Sequence, residues 1–74
     1  MSESLSPWEI AGKVLRRLIK ENYKTQEEFA LDFGMELRNV SRYVNGGIGS
    51  LKTIQQLAMF FRVDFRYFFD EANF

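Results

Sequence analysis

A chain of 74 residues with ten basic and ten acidic side chains has room for one domain, and its zero net charge does not by itself indicate a nucleic-acid partner. The absence of cysteine and histidine excludes disulfides, the common thiolate and imidazole metal sites, and catalysis by a cysteine nucleophile or a histidine base. Apolar residues form 46% of the chain, which favours one compact core, and no segment has the length of a membrane span or the pattern of a signal peptide.

The first predicted helix covers about residues 7–21 and follows an N-terminal tail, residues 1–5, that we expect to be flexible. Ser6 is the expected N-cap, Pro7 fits the first helical position and Glu9 completes a capping box. A single apolar stripe follows at helical spacing, formed by Ile10, Ala11, Val14, Leu15, Leu18 and Ile19. Basic residues occupy much of the remaining surface of this helix, namely Lys13, Arg16, Arg17 and Lys20.

Two shorter helices are predicted next, and a glycine separates them. Thr25 caps the second helix, with Glu28 reaching back in another capping box, and Gly34 follows as a left-handed C-terminal stop. The apolar positions of the second helix are Phe29, Ala30 and Phe33. The third helix is expected over about residues 36–44, with an inner face formed by Val40, Tyr43 and Val44, before Asn45-Gly46-Gly47 ends it.

The C-terminal part of the chain is predicted to contain a loop and two further helices. Residues 46–50 are expected to form a flexible loop, after which Ser50 caps a fourth helix over residues 51–61. Asp64 caps a short fifth helix over about residues 65–69, and residues 71–74 form a C-terminal tail. Five helices with short connections predict an all-α bundle, with residues 6–70 as one domain.

The segment that contains the second and third helices carries a motif with fixed spacing. Thr25-Gln26-Glu27-Glu28-Phe29-Ala30 is followed by Gly34, then by Val40-Ser41, and then by Asn45-Gly46. This pattern resembles the helix-turn-helix family of Cro and the phage repressors (Xre-like), and the resemblance covers about residues 8–69. It implies a compact five-helix bundle of the lambda-repressor-like type, in which Ala30 is small because two helices cross there.

The resemblance further implies that the chain binds double-stranded DNA. The third helix would enter the major groove, with its N-terminal half near the base edges. Gln26 at the start of the second helix and Asn45 at the end of the third would each bind a backbone phosphate. Lys24 and the basic residues of the first helix would be weaker phosphate contacts. The residues that would read base edges are Glu36, Leu37, Arg38, Asn39 and Arg42.

Seven aromatic residues crowd into the last fifteen positions, which are Phe60, Phe61, Phe65, Tyr67, Phe68, Phe69 and Phe74. One small core cannot easily hold all of them, and an exposed apolar patch usually marks an interface. We therefore predict a homodimer formed through Phe65, Phe68, Phe69 and Phe74, which would present two third helices to two DNA half-sites. The alternative is that most of these rings fill the core around the fourth and fifth helices.

Two functional interpretations follow from the sequence. The first is a sequence-specific transcription regulator, a bacterial or phage repressor or autoregulator, that is cytoplasmic, associated with the nucleoid and not bound to a membrane. We expect it to need no cofactor or small-molecule ligand and to have no enzymatic activity, because no catalytic or cofactor motif is present. The second is a protein–protein interaction module on the same scaffold, of the antitoxin or antirepressor type. The neutral charge, the acidic Glu36 and the aromatic C-terminus favour this second interpretation.

Overall fold

The computed structural model describes residues 5–74, which form four α-helices followed by two short 3-10 helices. The α-helices are α1 (Pro7–Asn22), α2 (Gln26–Phe33), α3 (Leu37–Gly46) and α4 (Leu51–Phe61). The 3-10 helices span Phe65–Phe69 and Glu71–Asn73, and the described residues contain no strand. The predicted all-α class is therefore confirmed. None of the helices formed by residues 5–74 has the length and hydropathy to cross a membrane.

The predicted count of five helices is slightly wrong, because the fifth is a 3-10 helix. The segment Phe65–Phe69 has only five residues, too few to repay the cost of starting an α-helix, whereas 3-10 geometry is common in pieces of this length. Asp64 caps this segment as predicted, and its carboxylate accepts the backbone N–H of Arg66 at 2.8 Å.

The predicted starts of α1 and α4 are confirmed by their side-chain caps. Ser6 Oγ accepts the N–H of Glu9 at 3.2 Å, and the Glu9 carboxylate accepts the N–H of Ser6 at 2.9 Å, which closes the capping box. At α4, Ser50 Oγ accepts the N–H of Thr53 at 3.2 Å. These bonds satisfy backbone donors that a helix start would otherwise leave without partners.

The turn between α2 and α3 sets the angle at which α3 crosses α2. Gly34 has a φ of 89°, in the left-handed region, and its N–H donates to the carbonyl of Ala30 at 2.9 Å. A residue with a Cβ would be strained at this φ. Glu36 takes the N-cap position of α3, and its side chain makes no capping hydrogen bond. The helix therefore begins at Leu37, one residue after the predicted start, and it ends at Gly46.

The core is built around α1, which packs mainly against α3 and the first 3-10 helix and makes fewer contacts with α2 and the second 3-10 helix. The whole predicted stripe of α1 is buried, and it packs against buried side chains from the rest of the chain: Phe29, Ala30, Val40, Val44, Ile48, Ile54, Leu57, Ala58 and Phe68. Burying a large apolar side chain of this kind contributes roughly 1.5–3 kcal/mol. The amphipathic pattern of α1 therefore supplies much of the surface on which the bundle forms.

The loop after α3 is anchored, in contrast to the predicted flexible loop over residues 46–50. Ile48 is fully buried, and its N–H donates to the carbonyl of Trp8 in α1 at 3.0 Å. Gly47 has a φ of 100° and passes so close to α1 that a Cβ there would lie 2.9 Å from the Trp8 carbonyl oxygen. One apolar side chain in the core and one backbone hydrogen bond thus hold the middle of the loop.

The two ends of the described chain also pack against the bundle. Leu5 is partly buried against the core, whereas the rest of the predicted N-terminal tail, residues 1–4, lies outside the described residues. The predicted C-terminal tail forms the second 3-10 helix, which contacts α1. Within it, Asn73 Nδ2 donates to the carbonyl of Tyr67 at 3.0 Å, so residues 71–74 continue the fold.

α1 and α3 approach each other closely at Gly12. A Cβ built on Gly12 would overlap the carbonyl oxygen of Tyr43 in α3 and would lie 3.0 Å from the Cα of Gly47. Both neighbours are backbone atoms, so no side-chain rotation would relieve the overlap. Gly12 therefore allows the two helices to pack backbone against backbone.

We expect Gly12→Ala to destabilise the fold, although alanine is the better helix former by about 1 kcal/mol. The overlap with the α3 backbone would force the helices apart, and overpacking of this kind costs on the order of 1–3 kcal/mol. Urea unfolding followed by circular dichroism measures the change. Gly46→Ala is the matched control, because its Cβ would meet nothing within 4 Å. If the two variants were equally stable, the close approach at Gly12 would be contradicted.

Candidate nucleic-acid interface

The predicted base-reading residues all lie at the start of α3 or in its first two turns. Four of them are exposed and one is half-buried: Glu36, Leu37, Arg38 and Arg42 are exposed, and Asn39 is half-buried. The opposite face of α3 carries the buried Val40 and Val44, which fix the helix against the core. Arg38, Asn39 and Arg42 lie on the side of α3 away from the two valines, whereas Glu36 and Leu37 lie at the start of the helix. We call the surface of these five accessible residues the α3 face.

The polar groups of the α3 face contact one another only through weak, exposed interactions. Arg42 Nη2 donates to Asn39 Oδ1 at 3.1 Å, and the Arg42 guanidinium lies 5.7 Å from the centre of the Tyr43 ring. Arg38 Nε lies 3.7 Å from Glu36 Oε1, with both side chains more than 70% exposed. Exposed ion pairs contribute about 0–1 kcal/mol, so these side chains can exchange their partners for a ligand at little cost.

A basic cleft of about 230 Å³, here called the α2 cleft, surrounds the start of α2. It is lined by Arg16, Ile19, Lys20, Tyr23, Lys24, Thr25 and Gln26, three of which are basic and none acidic. Thr25 Oγ1 accepts the N–H of Glu28 at 3.1 Å, which leaves the earlier N–H groups of the first turn available to an anion. The positive end of the helix dipole adds to the field of the three cations. The cleft is therefore suited to a phosphate group.

Asn45 lies at the far end of α3, in a second cleft of about 160 Å³. The cleft is lined by Leu5, Glu9, Lys13, Val44, Asn45, Gly46 and Gly47, so its one cation comes from α1. The side chain of Asn45 is exposed, and its amide donates to Ser41 Oγ at 3.4 Å, a long and weak contact. The side chain of Asn45 is therefore accessible from solvent.

Tyr23, which lines the α2 cleft, makes a hydrogen bond that the sequence did not predict. The Tyr23 hydroxyl donates to Asp32 Oδ2 at 2.5 Å, and the Tyr23 ring packs edge-on against Phe29, with centroids 5.6 Å apart. The hydrogen bond to the Asp32 carboxylate, with smaller effects of burial and of the carboxylate charge, raises the pKa of Tyr23 from 10.0 to about 12. This bond ties the segment before α2 to the last turn of α2.

The residues of the predicted dimer surface do not all lie together. Phe68 is fully buried and belongs to the core, so it is not available to a partner. Phe65 and Phe69 are close, with ring centroids 5.3 Å apart, and Phe69 packs edge-on against Trp8 at 6.3 Å. Trp8, which the sequence did not indicate, is 40% exposed. Phe74 instead lines a groove formed by basic residues of α1.

The helix pair α2–α3, with its sharp turn at Gly34, its exposed α3 face and its basic cleft, defines a helix-turn-helix DNA-binding domain. The helix-turn-helix family model matches residues 15–68, which include the whole α2 cleft, the whole α3 face and part of the cleft that contains Asn45. The chain therefore belongs to the Cro-like and Xre-like helix-turn-helix family, as the resemblance predicted. No curated protein and no solved structure matches the chain significantly.

The Tyr23–Asp32 bond should make the stability of the fold depend on alkaline pH. Because the pKa of Tyr23 is raised above its unfolded value, the stabilisation is complete below pH 10 and is lost as the pH rises toward 12. We expect the stability difference between the wild type and Tyr23→Phe to shrink over that window. Absorbance titration of tyrosinate in wild type and in Asp32→Ala, where the pKa of Tyr23 should fall back, is the direct measurement. Identical titration curves would contradict the bond.

Proposed function

We propose that this protein is a sequence-specific transcription regulator, a repressor or autoregulator, that binds operator DNA as a homodimer. The observation that carries the proposal is the basic α2 cleft, together with the accessible α3 face, in a chain that belongs to a DNA-binding family. In this proposal the operator-bound dimer acts in one of two ways: it blocks the polymerase sterically, or it helps to recruit the polymerase. Neither catalysis nor a cofactor is part of this mechanism.

Base reading is assigned to the α3 face because its side chains match the hydrogen-bonding groups of the major groove. Arg38 and Arg42 are four residues apart, on neighbouring turns, and arginine pairs bidentately with guanine O6 and N7. Asn39 suits adenine, and Leu37, which is 45% exposed, suits the methyl group of thymine. Glu36 would accept a hydrogen bond from cytosine, a role in which its negative charge is an advantage.

Positioning is assigned to the two clefts at the ends of the α2–α3 unit. A phosphate in the α2 cleft would meet the first-turn N–H groups of α2, Gln26, Lys24 and two cations of α1. A second phosphate would be bound by Asn45 at the end of α3. Such contacts fix the register of α3 on the duplex without reading its sequence.

Dimerisation is assigned to the aromatic cluster formed by Trp8, Phe65 and Phe69, in which Trp8 and Phe65 are exposed and Phe69 is partly buried. Trp8 and Phe65 expose 40% and 37% of their surface, although both types of ring are usually covered in a stable fold. An apolar surface of this kind favours a partner, and a second copy would supply the second recognition helix for a two-fold operator. Phe68 contributes indirectly, because its buried ring supports the segment that presents the cluster.

Fluorescence anisotropy with a duplex taken from upstream of the gene tests DNA binding, with an unrelated duplex of equal length for comparison. We expect Arg38→Ala and Arg42→Ala each to reduce the preference for the upstream duplex by roughly 1–3 kcal/mol, the discrimination expected of one bidentate base contact. Arg62→Ala is the matched control, since it removes an exposed arginine at the end of α4, outside the α3 face and both clefts.

Two outcomes of this titration would contradict the proposal. If the wild type bound neither duplex at micromolar concentration and low salt, an interaction module on the same scaffold would be the better account. If the arginine variants kept the full preference, DNA recognition would have to lie outside the α3 face. Circular dichroism of each variant would establish that it is folded before its binding is compared.

Sedimentation equilibrium tests the dimer. We expect the wild type to have twice the 8.7 kDa mass of the chain, and Phe65→Glu to be monomeric because it would bury a charge in an apolar interface. Met59→Glu is the control, since Met59 is 71% exposed and lies outside the aromatic cluster. A wild type that remained monomeric at the concentrations at which it binds DNA would contradict the proposed homodimer.

A further inference from the structure

A pocket of about 480 Å³, here called the Arg62 pocket, lies where the ends of α1, α2 and α4 meet. The residues that carry its chemistry are Tyr23 after α1, Asp32 in the last turn of α2, and Phe60, Phe61 and Arg62 at the end of α4. Within residues 5–74, the pocket shares no lining residue with the α3 face or with the cleft that contains Asn45. Its volume lies in the range of roughly 300–1,000 Å³ that is typical of small-molecule sites.

Phe60 and Phe61 form an apolar wall of the pocket, and this wall is fixed by its packing. The two rings stand edge-to-face with centroids 5.2 Å apart. Each ring also packs against the buried Phe29, at 5.8 Å for Phe60 and 5.6 Å for Phe61. Phe60 nevertheless leaves 37% of its surface exposed. The wall is therefore preformed, and it can cover an apolar group of a ligand without first having to be ordered.

Arg62 occupies a backbone position that favours glycine. It is the C-cap of α4 with a φ of 60° and a ψ of 43°, and among residues 5–74 it is the one non-glycine residue with a positive φ. Helices commonly end on glycine in this left-handed conformation, because glycine has no Cβ to strain. Strain of this kind is often associated with a functional side chain. The backbone of Arg62 thus directs attention to what its guanidinium group does in the pocket.

Arg62 and Asp32 bring opposite charges to the pocket and do not pair with each other. None of the ion pairs formed within residues 5–74 includes either residue. Asp32 accepts the Tyr23 hydroxyl through Oδ2, which leaves its Oδ1 open to a second donor. A ligand with one ammonium and one carboxylate group would therefore find a partner for each charge.

We propose that the Arg62 pocket binds a free α-amino acid with an apolar side chain. The ligand carboxylate would accept two parallel N–H bonds from Arg62, and the ligand ammonium would donate to Asp32. The ligand side chain would pack on Phe60 and Phe61. A simple anion or a simple cation would match only one of the two protein charges, whereas a zwitterion matches both. This inference goes beyond the proposed function and revises the expectation that the chain takes no small-molecule ligand.

Tyr23 places the Arg62 pocket next to a proposed DNA contact. Its side chain lines both this pocket and the α2 cleft, and its hydroxyl is bound by Asp32, the residue assigned to the ligand ammonium. A ligand on Asp32 would thus act on a residue of the cleft in which an operator phosphate is proposed to bind. Any change that the amino acid makes in DNA affinity would be matched by an equal change that DNA makes in amino-acid affinity. This coupling rests on the proposed function, whereas the binding of the amino acid does not.

Isothermal titration calorimetry of the whole chain, without DNA, tests the pocket. The probes are L-leucine, L-methionine and L-phenylalanine, and we expect saturable binding of at least one of them. Glycine, which lacks the side chain, and the N-acetyl and amide derivatives of the bound amino acid, which each lack one charge, are the matched ligands. We expect each of these to bind about tenfold more weakly or worse, because a hydrogen bond to a charged group or the burial of the side chain is lost.

Two variants and a control assign the binding to this pocket. Arg62→Gly removes the guanidinium group and suits the left-handed backbone, so it should lose at least about tenfold in affinity while its thermal melt shows an intact fold. Asp32→Asn keeps an acceptor for the Tyr23 hydroxyl but removes the charge, and we expect a similar loss. Lys52→Gln removes a cation from the opposite end of α4 and should bind as the wild type does.

The possible results bear separately on the pocket and on the proposed function. If none of the three amino acids gave saturable binding, the pocket would have no such ligand and the inference would be overturned. Wild-type affinity in both Arg62→Gly and Asp32→Asn would place the ligand elsewhere, and undiminished binding of the N-acetyl and amide derivatives would overturn the zwitterion. Because no DNA is present in this titration, its failure would leave the DNA-binding proposal standing, and a failure of DNA binding would leave the calorimetric result standing.

Discussion

The contact between α1 and α3 at Gly12 and Gly47 determines where the α3 face stands relative to the rest of the protein. At this point two backbones touch directly, so the distance between the helices is fixed by atoms that have no rotamers to adjust. Ile48 then enters the core and the hydrogen bond to Trp8 closes the contact. Because this contact fixes the position of α1 relative to α3, Lys13 lies beside the end of α3, and Arg16 and Lys20 lie beside the start of α2.

The local features of the fold could be predicted from the sequence, because each depends on residues that are near neighbours in the chain. The capping box at Ser6, the left-handed turn at Gly34 and the buried stripe of α1 are all of this kind. The features that were missed depend on residues far apart. Nothing near Gly12 in the sequence indicates that α3 will lie against it. The burial of Ile48 could not be predicted either, because a single isoleucine among three glycines shows no hydrophobic periodicity.

In the candidate site, too, the features that depend on local spacing could be predicted, and those that depend on distant residues could not. The α3 face and Gln26 were predicted from a resemblance that is itself a set of spacings, and the structure places Gln26 at the start of α2 and the other residues in the first half of α3. The Tyr23–Asp32 bond joins residues nine apart across a turn, where no sequence pattern points to a pair. Phe68 was assigned to a surface because aromatic residues crowd the C-terminus, yet composition alone cannot tell which ring of such a group faces inward.

The uneven distribution of charge on a neutral chain has a consequence for how the protein meets its target. With equal numbers of basic and acidic residues, the molecule as a whole is neither drawn to nor repelled by a polyanion at long range. Residues 13–24 contain five basic residues and one acidic residue, a charge of +4 (five minus one), and the remaining residues carry the balancing −4. At distances comparable to the Debye length, about 8–10 Å at ordinary salt, a polyanion senses these two parts of the chain separately. The protein would then rotate as it approaches a duplex, so that its basic side faces the DNA when the two meet. Its nonspecific binding to other polyanions in the cell would stay weak, because the net charge is zero.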